Sequence, residues 1–204
     1  TPLYSSAASD VYKRQKETER LFQMRLENLL GPNHYGFVRG KIDSPSTVWY
    51  YAETTANYFD KVEPYHSSFS HLVYKKDRGA MSDLFDLTMP ILTTALDKQD
   101  KSLKDLLRIR IGLVTRVPHE IVHAPHKDDN IPHTTALYYL NDSDGDTVVY
   151  NETEKSDNYT IKEKLTPKGN TWHQFDGKYF HSSSAPVNTE TVSYTHLRAH
   201  ETSL

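Results

Sequence analysis

HEIVHAPHKDD, residues 119–129, places three histidines and three acidic residues within eleven positions. Two metal motifs that need different backbones overlap in it. His119, Glu120 and His123 fit H-E-x-x-H, which works on a helix: two histidines one turn apart share a face and the glutamate sits beside the metal-bound water. His126 and Asp128 fit H-x-D, which works on extended chain, because side chains at i and i+2 of a strand project from one face. The first motif lies between Pro118 and Pro125. The second proline disfavours helical geometry at Ala124, and Ile121 and Val122 are β-branched. The helical reading fails. The extended one selects Asp128 over Asp129, which would point away.

An H-x-D pair alone is common by chance and reads equally well as a polar strand end. A facial triad needs a second histidine from a later strand, leaving three coordination positions open. Downstream stand His133, His173 and His181. His133 is close to the first pair along the chain and suits packing. His173, between Trp172 and Gln174, suits a core role better than a ligand role. His181 follows an Asp176-Gly177 turn and precedes a serine-rich run leading to Pro186-Val187.

Outward from this stretch, residues 106–191 are rich in β-formers and punctuated by turns. RIRIGLVTRV (108–117) alternates, TTALYYLN (134–141) reads as a buried strand, and DSDGD (142–146) as a turn. TVVYNE, YTIKEKLTP, NTWHQF and KYFHSSS follow at spacings that suit an antiparallel barrel or sandwich. The N-terminal part looks different. KETERLFQMRLENLLG (16–31) has leucines at helical spacing, with Gly31-Pro32 as its stop. Ser82 can cap a second helix, SDLFDLTMPILTTALDK, in which Pro90 should cause a kink or a new turn. LDKQDKSLKD reads as a charged connector, and 32–80 yields no element. The expected layout is helices first, then β-structure, in one domain made of 16–105 and 106–191.

The two ends look foreign. SSAASDVYKRQ (5–15) and VSYTHLRAHETSL (192–204) resemble translated sequencing-adapter stretches. Such segments are excluded from fold reasoning. Residues 1–15 and 192–204 are therefore read as non-native tails, and His196 and His200 leave the ligand candidates.

Whole-chain composition narrows the classes. The 204 residues suffice for one well-buried core, and 14 Tyr, 7 Phe and 2 Trp offset a low apolar fraction of 36%. A formal net charge of −3 gives no general attraction for nucleic acid or anionic membrane. The chain has no cysteine, which removes disulfides and thiolate metal sites. No apolar run approaches the roughly 20 residues of a membrane span. A cytoplasmic protein is expected.

Taken in order, HKDD, TTALYYLNDSDGDTVVYNE and LTPKGNTWHQFDGKYFHSSSAPV resemble the core of 2-oxoglutarate- and Fe(II)-dependent dioxygenases, near the prolyl-4-hydroxylase-like branch. Small members of that kind occur in phage genomes, which would place this one in the cytoplasm of a bacterial host. The resemblance covers about 106–191 and implies a double-stranded β-helix of the jelly-roll or cupin-like kind. It implies His126, Asp128 and His181 as iron ligands, Tyr139 as a hydrogen-bond partner of the distal carboxylate of 2-oxoglutarate, and Leu137 as a wall of that pocket. It implies Fe(II) as cofactor, 2-oxoglutarate and O2 as cosubstrates, and hydroxylation of a protein, peptide or small-molecule substrate, with peptidyl proline slightly favoured.

One part of the pattern is missing. The family places an arginine or lysine roughly ten residues after the distal histidine, here close to Val192, where the foreign-looking tail begins. The expectation is therefore truncation, with the basic anchor and the last barrel strand absent; the spacing of Arg198 is wrong for a stand-in. Two rival readings keep the fold without this chemistry: a non-catalytic jelly-roll binding or virion-associated module, and a cupin-like metalloenzyme that ignores 2-oxoglutarate.

Overall fold

The structure is a computed structural model and describes residues 23–54 and 64–203. In chain order its elements are β1 (Gln23–Leu26), α1 (Pro32–Ile42), β2 (Tyr50–Ala52), β3 (Ser68–Lys75), β4 (Gly79–Ala80) and α2 (Phe85–Asp97). Then come β5 (Lys101–Thr115), β6 (Ile121–Val122), β7 (Thr134–Tyr139), β8 (Thr147–Tyr150), β9 (Ile161–Leu165), β10 (Thr171–Asp176), β11 (His181–Ala185) and β12 (Thr191–Ser203). One sheet runs β1-β10-β7-β12-β5-β3-β2 with β4 on β3; the other runs β6-β11-β8-β9. Their strand pairs are antiparallel. This is the expected mainly-β jelly roll.

Strand alternation sorts the side chains into two layers. Ile109, Ile111, Ala136, Tyr138, Trp172 and Leu197 face α1 and α2 and pack with Val38, Ile42, Ile91 and Leu92. Val114, Leu137, Tyr139, Phe175 and Val192 face the other sheet and meet Ile121, Val149, Leu165 and Ala185. The functional candidates lie in this second layer, between the sheets.

The N-terminal part departs from the sequence reading. The helix expected over 16–31 is not present from residue 23 on, since β1 pairs along β10 from Gln23 to Leu26; residues 16–22 lie outside the described residues. Gly31-Pro32 begins a helix instead of ending one. Pro32 takes the first helical position, where an N–H would have no intrahelical partner anyway. Asn170 then ties this segment to the barrel. Its backbone holds a left-handed φ of 60°, its Oδ1 accepts from Leu30 N at 2.9 Å and Tyr138 OH at 2.8 Å, and its Nδ2 donates to Leu30 O at 2.8 Å. α2 agrees better with expectation: Ser82 Oγ accepts the Leu84 N–H at 3.1 Å. The helix continues through Pro90. The supposed connector becomes strand from Lys101, because β12 pairs with it as far as Ser203.

That pairing corrects the largest expectation. The last strand is not missing: residues 191–203, set aside as a tail, fill its place between β5 and β7. The physical reason is a period of two that a foreign-looking composition conceals. Val192 and Tyr194 face the inter-sheet layer, while Leu197 and Ala199 face the helices. No helix among the described residues is long and apolar enough to cross a membrane.

Candidate metal centre

β6 ends at Val122, yet the chain stays extended beside β11. His126 N donates to His181 O and His181 N donates to His126 O, both at 2.9 Å. This reciprocal pair sets the two imidazoles side by side, ring centres 4.6 Å apart. Asp128, two residues on, turns its carboxylate to the same point, and its Oδ2 lies 3.5 Å from His181 Nε2. One ligand atom from each of His126, Asp128 and His181 falls within 4.8 Å of the others. The structure thus brings together the three residues that the resemblance implied.

The surroundings orient these groups. His126 Nδ1 lies 3.2 Å from Ala124 O, a partner for an N–H that leaves Nε2 unprotonated. Arg108 Nη2 donates to Asp128 Oδ1 at 2.8 Å. His181 Nε2 is buried with no hydrogen-bond partner, so a buried lone pair is aimed at an ionised oxygen. That arrangement suits a bound cation.

Protonation states agree. Burial, with help from His126, lowers His181 to about 3. His126 is lowered as well, again mainly by burial. Burial alone would raise the Asp128 carboxyl, but His196, His181 and Arg108 outweigh it and hold it well below the usual carboxylate range. Burial lowers Arg108 to about 10, still charged at neutral pH. Two neutral imidazoles and a carboxylate are the forms a divalent metal requires.

The other candidates stand elsewhere. His119 is exposed, in a bend, and stacks edge-on with Tyr65 at 5.6 Å. His123 is buried, with Nδ1 2.9 Å from Ser183 Oγ and its ring edge-on to His66 at 5.3 Å. With no helix over 119–123, the protease motif has no geometry. His133 hydrogen-bonds Ile131 O at 2.7 Å and packs over Gly177, where any Cβ would sit 2.3 Å from its ring. His173 is buried edge-on to Tyr139, ring centres 5.6 Å apart. Asp129 turns away and meets Arg198 at 3.3 Å.

A narrow pocket opens beside the triad, lined by Arg110, His126, Leu137, Thr147, His181 and Tyr194, among others. Leu137 stands in its wall. Tyr139 stands one step behind: its hydroxyl donates to Thr147 Oγ1 at 2.8 Å.

Three residues near the centre escaped the sequence reading. Arg108 and Arg110 lie on the inter-sheet face of β5, and the alternation of RIRIG was the available signal. His196 was removed with the tail, yet its Nε2 lies 2.9 Å from Asp128 Oδ2.

Neither a protein-family model nor a curated protein sequence matches the chain. Solved structures do. A Trichoplax adhaerens prolyl hydroxylase in complex with a hypoxia-inducible-factor oxygen-degradation-domain peptide shares 12% identity and a TM-score of 0.56, covering 97% of this chain and 94% of that one. An oxidoreductase of the 2OG-Fe(II) oxygenase family from Burkholderia pseudomallei shares 11% identity and a TM-score of 0.58, covering 98% and 93%. The fold is that of the 2-oxoglutarate–Fe(II) oxygenases. The epimerase SnoN, solved with Fe3+, alpha-ketoglutarate and nogalamycin RO, has it too, at 12% identity, a TM-score of 0.55 and coverage of 94% and 84%. Within this oxygenase fold, the triad of the present chain sits where β11 meets the segment after β6.

Proposed function

We propose that the protein is an Fe(II)- and 2-oxoglutarate-dependent hydroxylase with His126, Asp128 and His181 as its iron ligands. The convergence of two neutral imidazoles and one ionised carboxylate from two β-segments carries this reading. With both bound, iron and 2-oxoglutarate would allow O2 to act as the oxidant, one oxygen atom entering succinate as carbon dioxide leaves and the other entering the substrate C–H bond. The chain's own residues do the remaining work. Arg108 holds Asp128 Oδ1 and leaves Oδ2 for the metal; the Ala124 carbonyl fixes the His126 tautomer. Leu137 and Tyr194 wall the cosubstrate pocket, and Tyr139 orients Thr147 within it.

Peptidyl proline is the proposed substrate, supported by the prolyl-hydroxylase resemblance of residues 106–191 and by the likeness in fold to the Trichoplax enzyme. Segment 64–66, packed on 119–123 through the Tyr65–His119 and His66–His123 contacts, would border the substrate entrance. The test is aerobic incubation with Fe(II), 2-oxoglutarate and a panel of proline-containing peptides. Mass spectrometry should find one oxygen gained per modified peptide and an equal amount of succinate. Metal-dependent turnover that ignores 2-oxoglutarate would favour the cupin-like alternative, and binding without any turnover would favour the non-catalytic one.

A further inference from the structure

The two sheets differ in width beyond β5. Arg108 of β5 and His196 of β12 both reach Asp128, and Ile121 of β6 packs in one cluster with Val114 of β5. β5 and β12 therefore lie over β11, β6 and the segment after β6. The larger sheet continues through β3 to β2, whereas the smaller one stops at β6, which has no second partner strand among the described residues. Register shows which side chains of β3 and β2 face the smaller sheet. Leu72 pairs with Arg110, Ser70 with Gly112, and Tyr50 with Ser70; directly opposed residues point to the same side. Gly112 faces inward, since a Cβ there would meet the Tyr194 ring. Tyr50 shares that side, yet it is 64% exposed. An inward-facing ring left in water marks a ledge that β6 does not cover.

Main-chain direction adds to this. His123 N donates to Ser183 O at 2.9 Å, while Ser184 N turns the other way, to Asp146 O at 2.8 Å. Such groups alternate along an antiparallel strand. Val122, opposite Ser184, therefore directs its N–H and C=O away from β11, to the free edge. Edge strands are commonly guarded by charge. β9 carries Lys162, Glu163 and Lys164, and Arg25 on β1 pairs with Glu27 at 2.8 Å. β6 has only Ile121 and Val122, β-branched and uncharged, with Val122 43% exposed. His126 follows Val122 by four positions, a span of at most about 13 Å. One end of this edge thus lies at the triad. Segment 64–66, through its contacts with His119 and His123, bounds the ledge at the other end.

We propose that an extended acceptor peptide adds to the free edge of β6 as a further strand of the smaller sheet, over the ledge of Tyr50, Ser70 and Leu72, and delivers its proline to the triad. The assignment rests on the peptide-hydroxylase reading above and deepens it. Main-chain bonds to Val122 give affinity, and alternate side chains resting on Tyr50 and Leu72 give a preference for uncharged β-forming residues beside the proline. Proline suits the end of such a strand, where it has no ladder N–H to supply. A polyproline helix does not suit the edge, because it offers no N–H to the Val122 carbonyl.

The experiment is anaerobic fluorescence anisotropy with protein loaded with Fe(II) and 2-oxoglutarate, so that binding is read without turnover. The probes are dye-labelled decapeptides: alternating Val and Thr around a central proline, the same peptide N-methylated at one or the other set of alternate residues, and decaproline. The alternating peptide should bind on the order of tenfold more tightly than decaproline. N-methylation of one set should weaken it strongly and of the other only slightly, the period of two that a paired strand imposes. Val122→Pro removes the outward N–H and should weaken binding about threefold to tenfold, as should Tyr50→Ala. The metal-to-ligand charge-transfer midpoint for 2-oxoglutarate should not move in either variant. Should Val122→Pro fail to fold, the N-methyl comparison on wild-type protein decides. Equal or tighter binding of decaproline, equal tolerance of both methylated sets, or no binding of the alternating peptide overturns the strand-addition proposal. If the charge-transfer band is present, the oxygenase reading survives that outcome. Its absence in wild-type protein overturns that reading, and strand addition of an acceptor peptide with it.

Discussion

Arg108 Nη2 lies 2.8 Å from Asp128 Oδ1, and that bond turns the other carboxylate oxygen toward His181. A strand that carries no ligand thus decides which lone pair the ligand offers.

Removing this support should loosen the metal without deleting a ligand. Arg108→Met is expected to weaken Fe(II) binding on the order of tenfold to a hundredfold, the usual effect of losing an outer-shell partner. Competition with a chromogenic chelator measures it. An unchanged affinity would mean that Asp128 needs no help from β5.

His196 provides a control on the ligand set. Its Nε2 is 2.9 Å from Asp128 Oδ2, so it competes for the oxygen assigned to the metal. His196→Ala should therefore retain iron at full stoichiometry. Loss of iron comparable to that from His181→Ala would make His196 a ligand and displace the present assignment.

The metal-free protein should lose stability in mild acid. Burial lowers His173 to about 4, and it lowers His123, with His66 contributing, to about 4 as well. An imidazole ordinarily titrates near 6.5. Between those values the unfolded chain binds more protons than the folded one, so stability rises with pH and is lost as pH falls from about 6.5 toward 4. Each histidine contributes a slope of at most ~1.4 kcal/mol per pH unit. Urea unfolding at pH 7 and pH 4.5 should show the drop, and His173→Gln should shrink it. An equal drop in that variant would remove His173 from the account.

How much of this the sequence disclosed depended on period. Thr134–Tyr139, Thr147–Tyr150 and Thr171–Asp176 were legible as strands because each is a short β-forming run between turn residues. His126 and Asp128 were legible because Pro118 and Pro125 leave no room for a helix. From residue 23 on, the expected 16–31 helix misled because leucines at helical spacing also suit a short edge strand followed by a loop, and because Gly-Pro opens helices as well as ending them. Arg108 and Arg110 stayed hidden because charged residues alternating with Ile109 and Ile111 look like a solvated face; only pairing with β12 and β3 on both sides shows that this face points into the barrel. β12 itself was lost to its composition, though Val192, Tyr194 and His196 alternate as any strand does.

Asn170 should carry stability rather than chemistry. Asn170→Ala strips a buried acceptor from Leu30 N and Tyr138 OH and a donor from Leu30 O. Leaving such groups unpaired costs about 1–3 kcal/mol each before relaxation. Denaturant midpoints should fall accordingly, with iron stoichiometry unchanged. A neutral result would show that β1 and α1 dock without this tie.

The most direct test of the central claim is Fe(II) stoichiometry by anaerobic calorimetry across single variants. The account predicts one Fe(II) per chain in wild-type protein, binding abolished in His126→Ala, Asp128→Ala and His181→Ala, and binding retained in His123→Ala and His133→Ala. Loss of iron from His123→Ala equal to that from His126→Ala, or full binding in Asp128→Ala, would contradict it.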